Sequence, residues 1–392
     1  MRILIVTPWY PSAEHPYTGA FVERDVRMLA AEHEVSVVHL VAPAHADGGP
    51  TVVERDGIRV VRVPMTPGAP RSWWAAARAL RRHFPGADLV NSHAATSLWP
   101  MVLARPARGR WVHTEHSSIV ASSFADGRAA RRARAIRRRL FSRPAVVVAV
   151  SDHLGQQIRR LGRSGPIVTV PNAVTRPSRL TTRPSEPSGV LRLVAVGGLT
   201  QGKRPLLAIR TLAELRRRGV DARLDWVGDG PLRAEAAALV AELDLEDAVV
   251  LAGAQRPEDV GKHLEAAHLF LLPTEGETFG VAIAEAIAHG LPVVVGARGG
   301  QRVFVDASVG ALVDSSEPAA YADAVQDVVA RTRGLDPAEI AATLGERFDD
   351  AHRLAAYDAV YTALAAGRSP GTVNPQPPSG TLGSRLRGNP HP

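Results

Sequence analysis

Glu277 and Glu285 stand eight positions apart in the stretch EGETFGVAIAEAIAHGLPVV, residues 275–294, where the other side chains are mostly small or apolar. A carboxylate accepts two hydroxyl hydrogen bonds at once, which suits the vicinal hydroxyls of a ribose or another sugar. The run HLFLLP before it reads as a strand, TEGETFG as a loop, and VAIAEAIAH as a helix that Gly290 and Pro292 close. Thr278, Phe279 and Gly280 therefore fall at a helix N-terminus, where unpaired amides and the helix dipole favour an anion such as phosphate. Gly280 lets a ligand come close to the backbone. Glu277 lies just before these amides, and Glu285 lies inside the helix on the side of Ala282 and His289. One carboxylate for a sugar, amides for a phosphate and a second carboxylate for a ribose form one coherent reading. A loop glutamate and a solvated helix glutamate form another, and the spacing leaves both open.

Other residues of chemical interest are scattered. Lys203 follows a glycine turn in VAVGGLTQGKRP and suits a phosphate, or is a surface lysine. Gly19, in TPWYPSAEHPYTGAFVERDV, opens a helix near Ala20 or Phe21 and is equally readable as a turn residue. His93 in NSHAAT, and His113 and His116 in WVHTEHSS, sit at strand ends, where a histidine can face a cleft or be structural. Their spacing across separate strands is not diagnostic of a metal site. No convincing Asp-x-Asp motif is present.

Such groups need a scaffold that brings them together. At 392 residues, two domains are expected. Near-continuous Val/Ile/Leu runs (RILIVTP, VSVVHLVAP, IRVVRVP, DLVNSH, RWVHTEH, AVVVAVS) alternate with helical stretches such as 21–32 and 73–84. That pattern predicts a parallel sheet covered on both faces. It restarts with LRLVAVGG, ARLDWVGDG, AVVLAG, HLFLLP, LPVVVG and GALVD. The expected organisation is an α/β chain of two doubly wound, Rossmann-like domains facing a central cleft. Residues 1–174 form the first and 190–348 the second, joined by a Pro/Ser/Thr-rich linker, 175–189. A last helix, 349–366, is expected to pack back on the first domain, and the Gly/Pro/Ser/Arg-rich 367–392 to be a disordered tail. Ligands of open α/β sheets bind outside the strand C-terminal ends, hence in the cleft.

Composition narrows the class. With no cysteine, disulfides, thiolate catalysis and thiolate-held metals are excluded. The net charge of +8 favours acidic partners. Aromatic residues at 5% and no visible stacking platform make a nucleic-acid partner unexpected. No apolar run is long enough to span a bilayer, and the first apolar run is too short for a signal peptide, so a cytoplasmic location is expected. RAARRARAIRRRLFSR, residues 128–143, holds eight arginines and no acid, with Ala129, Ala133, Ile136 and Leu140 on one helical stripe. It reads as a peripheral contact with an anionic membrane, at its inner face, or as a helix packing on its own domain with arginines in water.

LLPTEGETFGVAIAEAIAHGLPVV resembles, nearly residue by residue, the E-x(7)-E signature of the retaining glycosyltransferases of family four, the glycosyl transferases group one, which have the GT-B fold. WVGDGPLR, VVLAGAQRPEDV, VSDHL and VPNAV fall in that family's order, and the similarity spans about residues 1–365. The resemblance implies transfer of a hexosyl-type sugar from a nucleoside-diphosphate sugar to a hydroxyl acceptor, whether saccharide, lipid-linked or small molecule. Anomeric configuration would be retained, without metal or other cofactor. It implies that Glu277 contacts the donor sugar and Glu285 the ribose. Lys203 and the amides around Thr278, Phe279 and Gly280 would hold the diphosphate, with the Gly19 turn reaching the donor phosphate. His116 would lie beside the sugar and the attacking hydroxyl, and His93 on the acceptor side. Four positions depart from the pattern. Gly198 stands where the family has a diphosphate-binding arginine, Arg204 follows Lys203 in place of glycine and is offered as a substitute cation, and Val303 stands where a glutamate is usual after the Gly299–Gly300 loop. Ala20 also replaces a second glycine. The missing arginine keeps two rivals in view. One is a nucleotide-sugar epimerase or hydrolase on the same fold; the other is a catalytically weak nucleotide-sugar-binding subunit.

Overall fold

The computed structural model describes residues 1–12, 18–43, 51–107, 109–124, 127–180 and 189–370. The tail expected to be disordered lies almost wholly outside these residues, as do the middle of the linker and part of the segment before Gly19.

The first sheet has eight strands: β1 (Arg2–Thr7), β2 (Glu34–Val41), β3 (Val52–Arg55), β4 (Ile58–Pro64), β5 (Leu89–His93), β6 (Trp111–Glu115), β7 (Val146–Ala149) and β8 (Ile167–Thr169). Their order is β3-β4-β2-β1-β5-β6-β7-β8, parallel except for the β3–β4 hairpin. Asp56 and Gly57 close that hairpin with φ of 52° and 74°, the two left-handed residues that a tight two-residue turn requires. The second sheet has six strands: β9 (Leu191–Val196), β10 (Ala222–Val227), β11 (Val249–Gly253), β12 (Leu269–Leu272), β13 (Val293–Gly296) and β14 (Gly310–Val313). All are parallel, in the order β11-β10-β9-β12-β13-β14. This is the doubly wound order, reversing between β9 and β12; the first sheet reverses between β1 and β5. A crevice opens at each reversal because the flanking helices leave to opposite faces.

The last helix, Asp350–Ala365, lies against the first sheet, far from its neighbours in sequence. Its Tyr357, Val360 and Tyr361 share a core with Ile3, Ile5 and Val148. Asn91 donates to the Tyr361 hydroxyl at 2.9 Å. Arg353 on the same helix forms a fully buried, two-pronged ion pair with Asp25 of helix Ala20–Ala30, at 2.6 and 2.7 Å. One guanidinium facing one carboxylate in parallel is the strongest geometry available to such a pair. Among the described residues, no helix is long and apolar enough to cross a membrane.

Candidate active site

Where the two strand reversals face each other lies a cavity of about 290 Å³. The first domain contributes Phe21, His116 and Asn172; the second contributes Lys203, Glu277 and the 278–283 helix start. Val196, Gly197 and Leu272, at the ends of β9 and β12, form its floor.

Lys203 Nζ donates to Glu277 Oε1 at 2.6 Å, so the cation and the first carboxylate of the motif face the same space. The loop bearing Glu277 is gripped by the loop after β13. Gly300 N donates to Glu277 O at 2.9 Å, and Glu277 N donates to Arg298 O at 3.2 Å. A Cβ at Gly299 would fall 2.3 Å from Glu277 O, and one at Gly300 2.4 Å from Thr278 O. The Gly299–Gly300 pair is therefore what lets the two backbones touch and holds Glu277 in place. Gly280, at φ 96°, starts helix Val281–Ala288. Phe279, which also lines the cavity, packs its buried ring into a cluster with Phe304 and Phe348. Ser151 of the first domain donates its hydroxyl to Thr278 O, a direct bond between the domains.

The histidines separate. His116 lines the cavity, its ring 4.8 Å from that of Phe21. His93 lies behind it, stacked at 5.3 Å, with Nδ1 3.1 Å from His116 Nε2. Burial, then the neighbouring His113 and Arg353 charges, lower the His93 pKa to about 3; burial, then His93 and Arg353, also push His116 well down. Both rings are neutral near pH 7 and serve as hydrogen-bonding groups, not as stored protons. His113 is buried away from the cavity, bonded to Ser92 Oγ at 2.9 Å and facing Glu115 Oε2 at 3.3 Å. Glu115 in turn accepts from the amides of His116 and Ser117 at 2.9 and 2.8 Å, which shapes the loop carrying His116. Asp25, His93 and His116 offer ligand atoms within 4.8 Å of one another. Arg353 takes both Asp25 oxygens, however, and its charge opposes a cation there.

Other expected residues lie apart from this group. Gly19, at φ 76°, packs its backbone on Trp9, two positions before the cavity-lining Phe21. Arg204 points to Glu275 at 3.4 Å and to Ser315 O, lining a separate hollow of about 200 Å³ with Arg298 and Asp314. It does not stand where the missing arginine would. Its αL backbone, φ 53°, at the start of helix Pro205–Arg217 sends the side chain outward. Glu285 is half-buried and faces the linker. Desolvation raises its pKa, opposed by bonds from the Thr175 hydroxyl and amide and by the Arg24 charge. Arg24 donates to Thr175 Oγ1 at 2.9 Å and pairs with Asp350 at 2.8 Å. The second carboxylate thus belongs to a clasp across the hinge.

Asn172, Ser151, Glu115 and Asp25 were not anticipated as parts of the site. Asn172 had a signal, a polar residue closing the apolar run VTVPNAV. Its side chain is the hydrogen-bonding neighbour of His116 beside the cavity, and that bond raises the pKa of the ring against the effect of burial.

Comparison with known proteins decides the family. Residues 191–331 match the description "Glycosyl transferases group 1" and residues 18–173 match "Glycosyl transferase 4-like domain". The chain belongs to the group 1 glycosyl transferases. It is 30% identical over 317 residues to a 2-deoxystreptamine glucosyltransferase of Streptomyces kanamyceticus, covering 70% of this chain and 80% of that protein. A GDP-mannose-dependent phosphatidylinositol dimannoside mannosyltransferase of Mycobacterium tuberculosis is 32% identical over 193 residues, covering 47% of this chain and 49% of that protein. Among solved structures, the transferase superposes on sucrose-phosphate synthase of Thermosynechococcus elongatus with a TM-score of 0.74 at 22% identity, covering 93% and 99% of the two chains. Anabaena HepE, in complex with UDP and glucose, gives 0.70 at 17% identity, covering 93% and 100%. The expected GT-B architecture, two parallel-sheet domains around a cleft, is the one observed.

Proposed function

We propose that this glycosyltransferase moves a hexosyl group from a nucleoside-diphosphate sugar to a hydroxyl with retention of configuration, using the cavity between the domains. The observation that carries the reading is the opposition, across one cavity, of Lys203 and Glu277 on one wall and His116 and Asn172 on the other. The donor diphosphate lies at the start of helix Val281–Ala288, against Lys203. Its arrival releases Glu277 from Lys203 to accept bonds from sugar hydroxyls. His116, neutral, and Asn172 orient hydroxyls from the other wall. The acceptor oxygen bonds to the anomeric carbon as the bond to the diphosphate breaks, and its proton passes to the departing phosphate oxygen. Positioning and charge stabilisation supply most of the acceleration. Glu285 reaches the ribose by leaving Thr175, which ties donor binding to the hinge. No cofactor enters this scheme.

The test is release of nucleoside diphosphate from a panel of nucleotide sugars, chosen by thermal shift, with and without cell-extract acceptors. Acceptor-dependent release, with unchanged anomeric coupling in the product by NMR, supports transfer with retention. Acceptor-independent release supports the hydrolase or epimerase, and binding without turnover supports the decayed subunit.

The reading also places helix Arg128–Phe141 on an anionic membrane surface. Ile136 is 42% exposed and Ala129 is exposed, so half of its four-residue apolar stripe does not pack on the domain; Ala133 is half-buried, and Leu140 and Phe141 are buried. Co-sedimentation with anionic but not neutral vesicles at low salt is expected. The triple change of Arg137, Arg138 and Arg139 to Ser should abolish it.

A further inference from the structure

A second cavity lies away from the cleft. It measures about 900 Å³ and opens at the other end of the first sheet, beside Trp111, where β6 begins, and Ala145, just before β7. Nothing in the transfer reaction uses it. Helices Pro70–Arg81, Leu98–Ala104 and Arg128–Phe141 end around it. Its apolar wall is formed by Val102, Leu103, Pro106 and Trp111, and Trp74, 58% exposed, overhangs it.

Its polar side carries one sign of charge. Arg81, Arg105 and Arg143 line it, and among the described residues no acid does. Arg81 caps the neighbouring helix, donating to Leu103 O at 2.7 Å and Ala104 O at 3.1 Å. Arg105 and Arg143, both exposed, have no side-chain hydrogen bond or ion pair among the described residues. The surroundings reinforce the sign. Residues 66–143 hold fifteen arginines and three acids, a net charge of +12 against +8 for the whole chain, so the remainder is net negative.

We propose that this cavity binds a single anionic lipid, its phosphate held by Arg105 and Arg143 and its acyl chain laid over Val102, Leu103 and Trp111 beneath Trp74. The chemistry selects this occupant. An apolar trough of this volume suits a chain, two free guanidiniums at its edge suit a phosphodiester, and an exposed tryptophan beside arginines is the combination that sits at a membrane interface. A free phosphate would leave the trough unfilled, and a neutral lipid would leave the guanidiniums without a partner. The site is distinct from the membrane contact of helix Arg128–Phe141, which attracts a surface and not one molecule, and it does not depend on the transfer reading.

The experiment uses the full chain and monomeric, sub-micellar lysophosphatidylglycerol, with native mass spectrometry for stoichiometry and calorimetry for affinity. One-to-one saturable binding is expected, at least about tenfold tighter than lysophosphatidylcholine, because two charge-assisted contacts are lost with the neutral headgroup. Glycerol 3-phosphate should bind at least tenfold more weakly than the lysolipid. The pair Arg105→Asn and Arg143→Ser should weaken lysophosphatidylglycerol by about tenfold or more. Asparagine tolerates the φ of 57° at position 105, so folding is preserved. Ala107→Trp, which fills the trough and keeps both arginines, should lower affinity for the lysolipid but not for glycerol 3-phosphate. The triple Arg137, Arg138, Arg139 to Ser variant should bind as the wild type does, separating this site from surface adsorption. Equal binding of the two lysolipids, affinity unchanged in the Arg105/Arg143 pair, or glycerol 3-phosphate binding as tightly as the lysolipid would overturn the assignment.

Discussion

Arg353→Met should be the most damaging single change outside the cleft. The guanidinium is 2% exposed and Asp25 3%, and the pair is joined by two hydrogen bonds of 2.6 and 2.7 Å. Arg353 also donates to Val170 O at 3.0 Å and to Pro171 O. Methionine fills much of the volume but strands the Asp25 carboxylate in the interior. Breaking a buried pair from one side costs about 3–5 kcal/mol, because the remaining charge keeps its desolvation penalty. For a domain of this size that corresponds to a fall of roughly 6–20 °C in Tm. The pH dependence gives a sharper check. In the wild type, His93 has its pKa lowered to about 3, so its contribution to stability is complete above the unfolded value of 6.5 and is lost as pH falls from there. In the variant, the stranded carboxylate lies within reach of His93 and His116, and the Arg353 charge that held them down is gone. Protonating either a histidine or Asp25 then neutralises the buried charge. The stability gap between wild type and variant should therefore narrow from pH 8 to pH 5. Guanidinium unfolding, followed by far-ultraviolet circular dichroism, measures both quantities. A gap under 1 kcal/mol at pH 8, or one that widens on acidification, would refute the argument. The double change Asp25→Leu with Arg353→Met should recover most of the loss, since it removes both charges.

Lys203→Ala should lower kcat/KM for transfer by a factor corresponding to about 2–4 kcal/mol, as no second cation stands at position 198 to share the diphosphate; unchanged steady-state kinetics would remove it from the site. Glu285→Ala should weaken nucleoside-diphosphate affinity in calorimetry, while Glu277→Ala should chiefly slow turnover. Equal affinities in wild type and Glu285→Ala would detach the ribose from this helix. Gly198→Arg should tighten nucleoside-diphosphate binding by about tenfold, the weight of one charge-assisted contact. An added Cβ would lie 3.3 Å from Asp229 O, so that carbonyl must give by a few tenths of an ångström to admit the side chain. No gain in the calorimetric affinity would mean that the new cation does not reach the diphosphate.

Much of the architecture was legible in the sequence because it depends on local pattern. Near-continuous β-branched runs between amphipathic helices can be buried on both faces only in a wound parallel sheet, and two such series with a polar break between them make two domains. The Glu277 loop and the helix start at Gly280 were equally readable, since glycine, loop and helix follow one another along the chain. What lay beyond the sequence were the pairings between distant segments. His93, His113 and His116 look alike as strand-end histidines, yet the packing puts one at the cavity, one behind it and one in a separate network with Ser92 and Glu115. Arg204 sits next to Lys203 in sequence, but a left-handed backbone turns it towards Glu275 and away from the cavity. Glu285 reads as a ribose ligand from its motif, and only the closeness of the linker shows it bound to Thr175. Asp25 and Arg353 are 328 positions apart, and neither carries a local signal of the other. Local propensities set which elements form, but the direction of a side chain and the identity of its partner depend on how the elements are packed, and that is decided by the burial of the whole core.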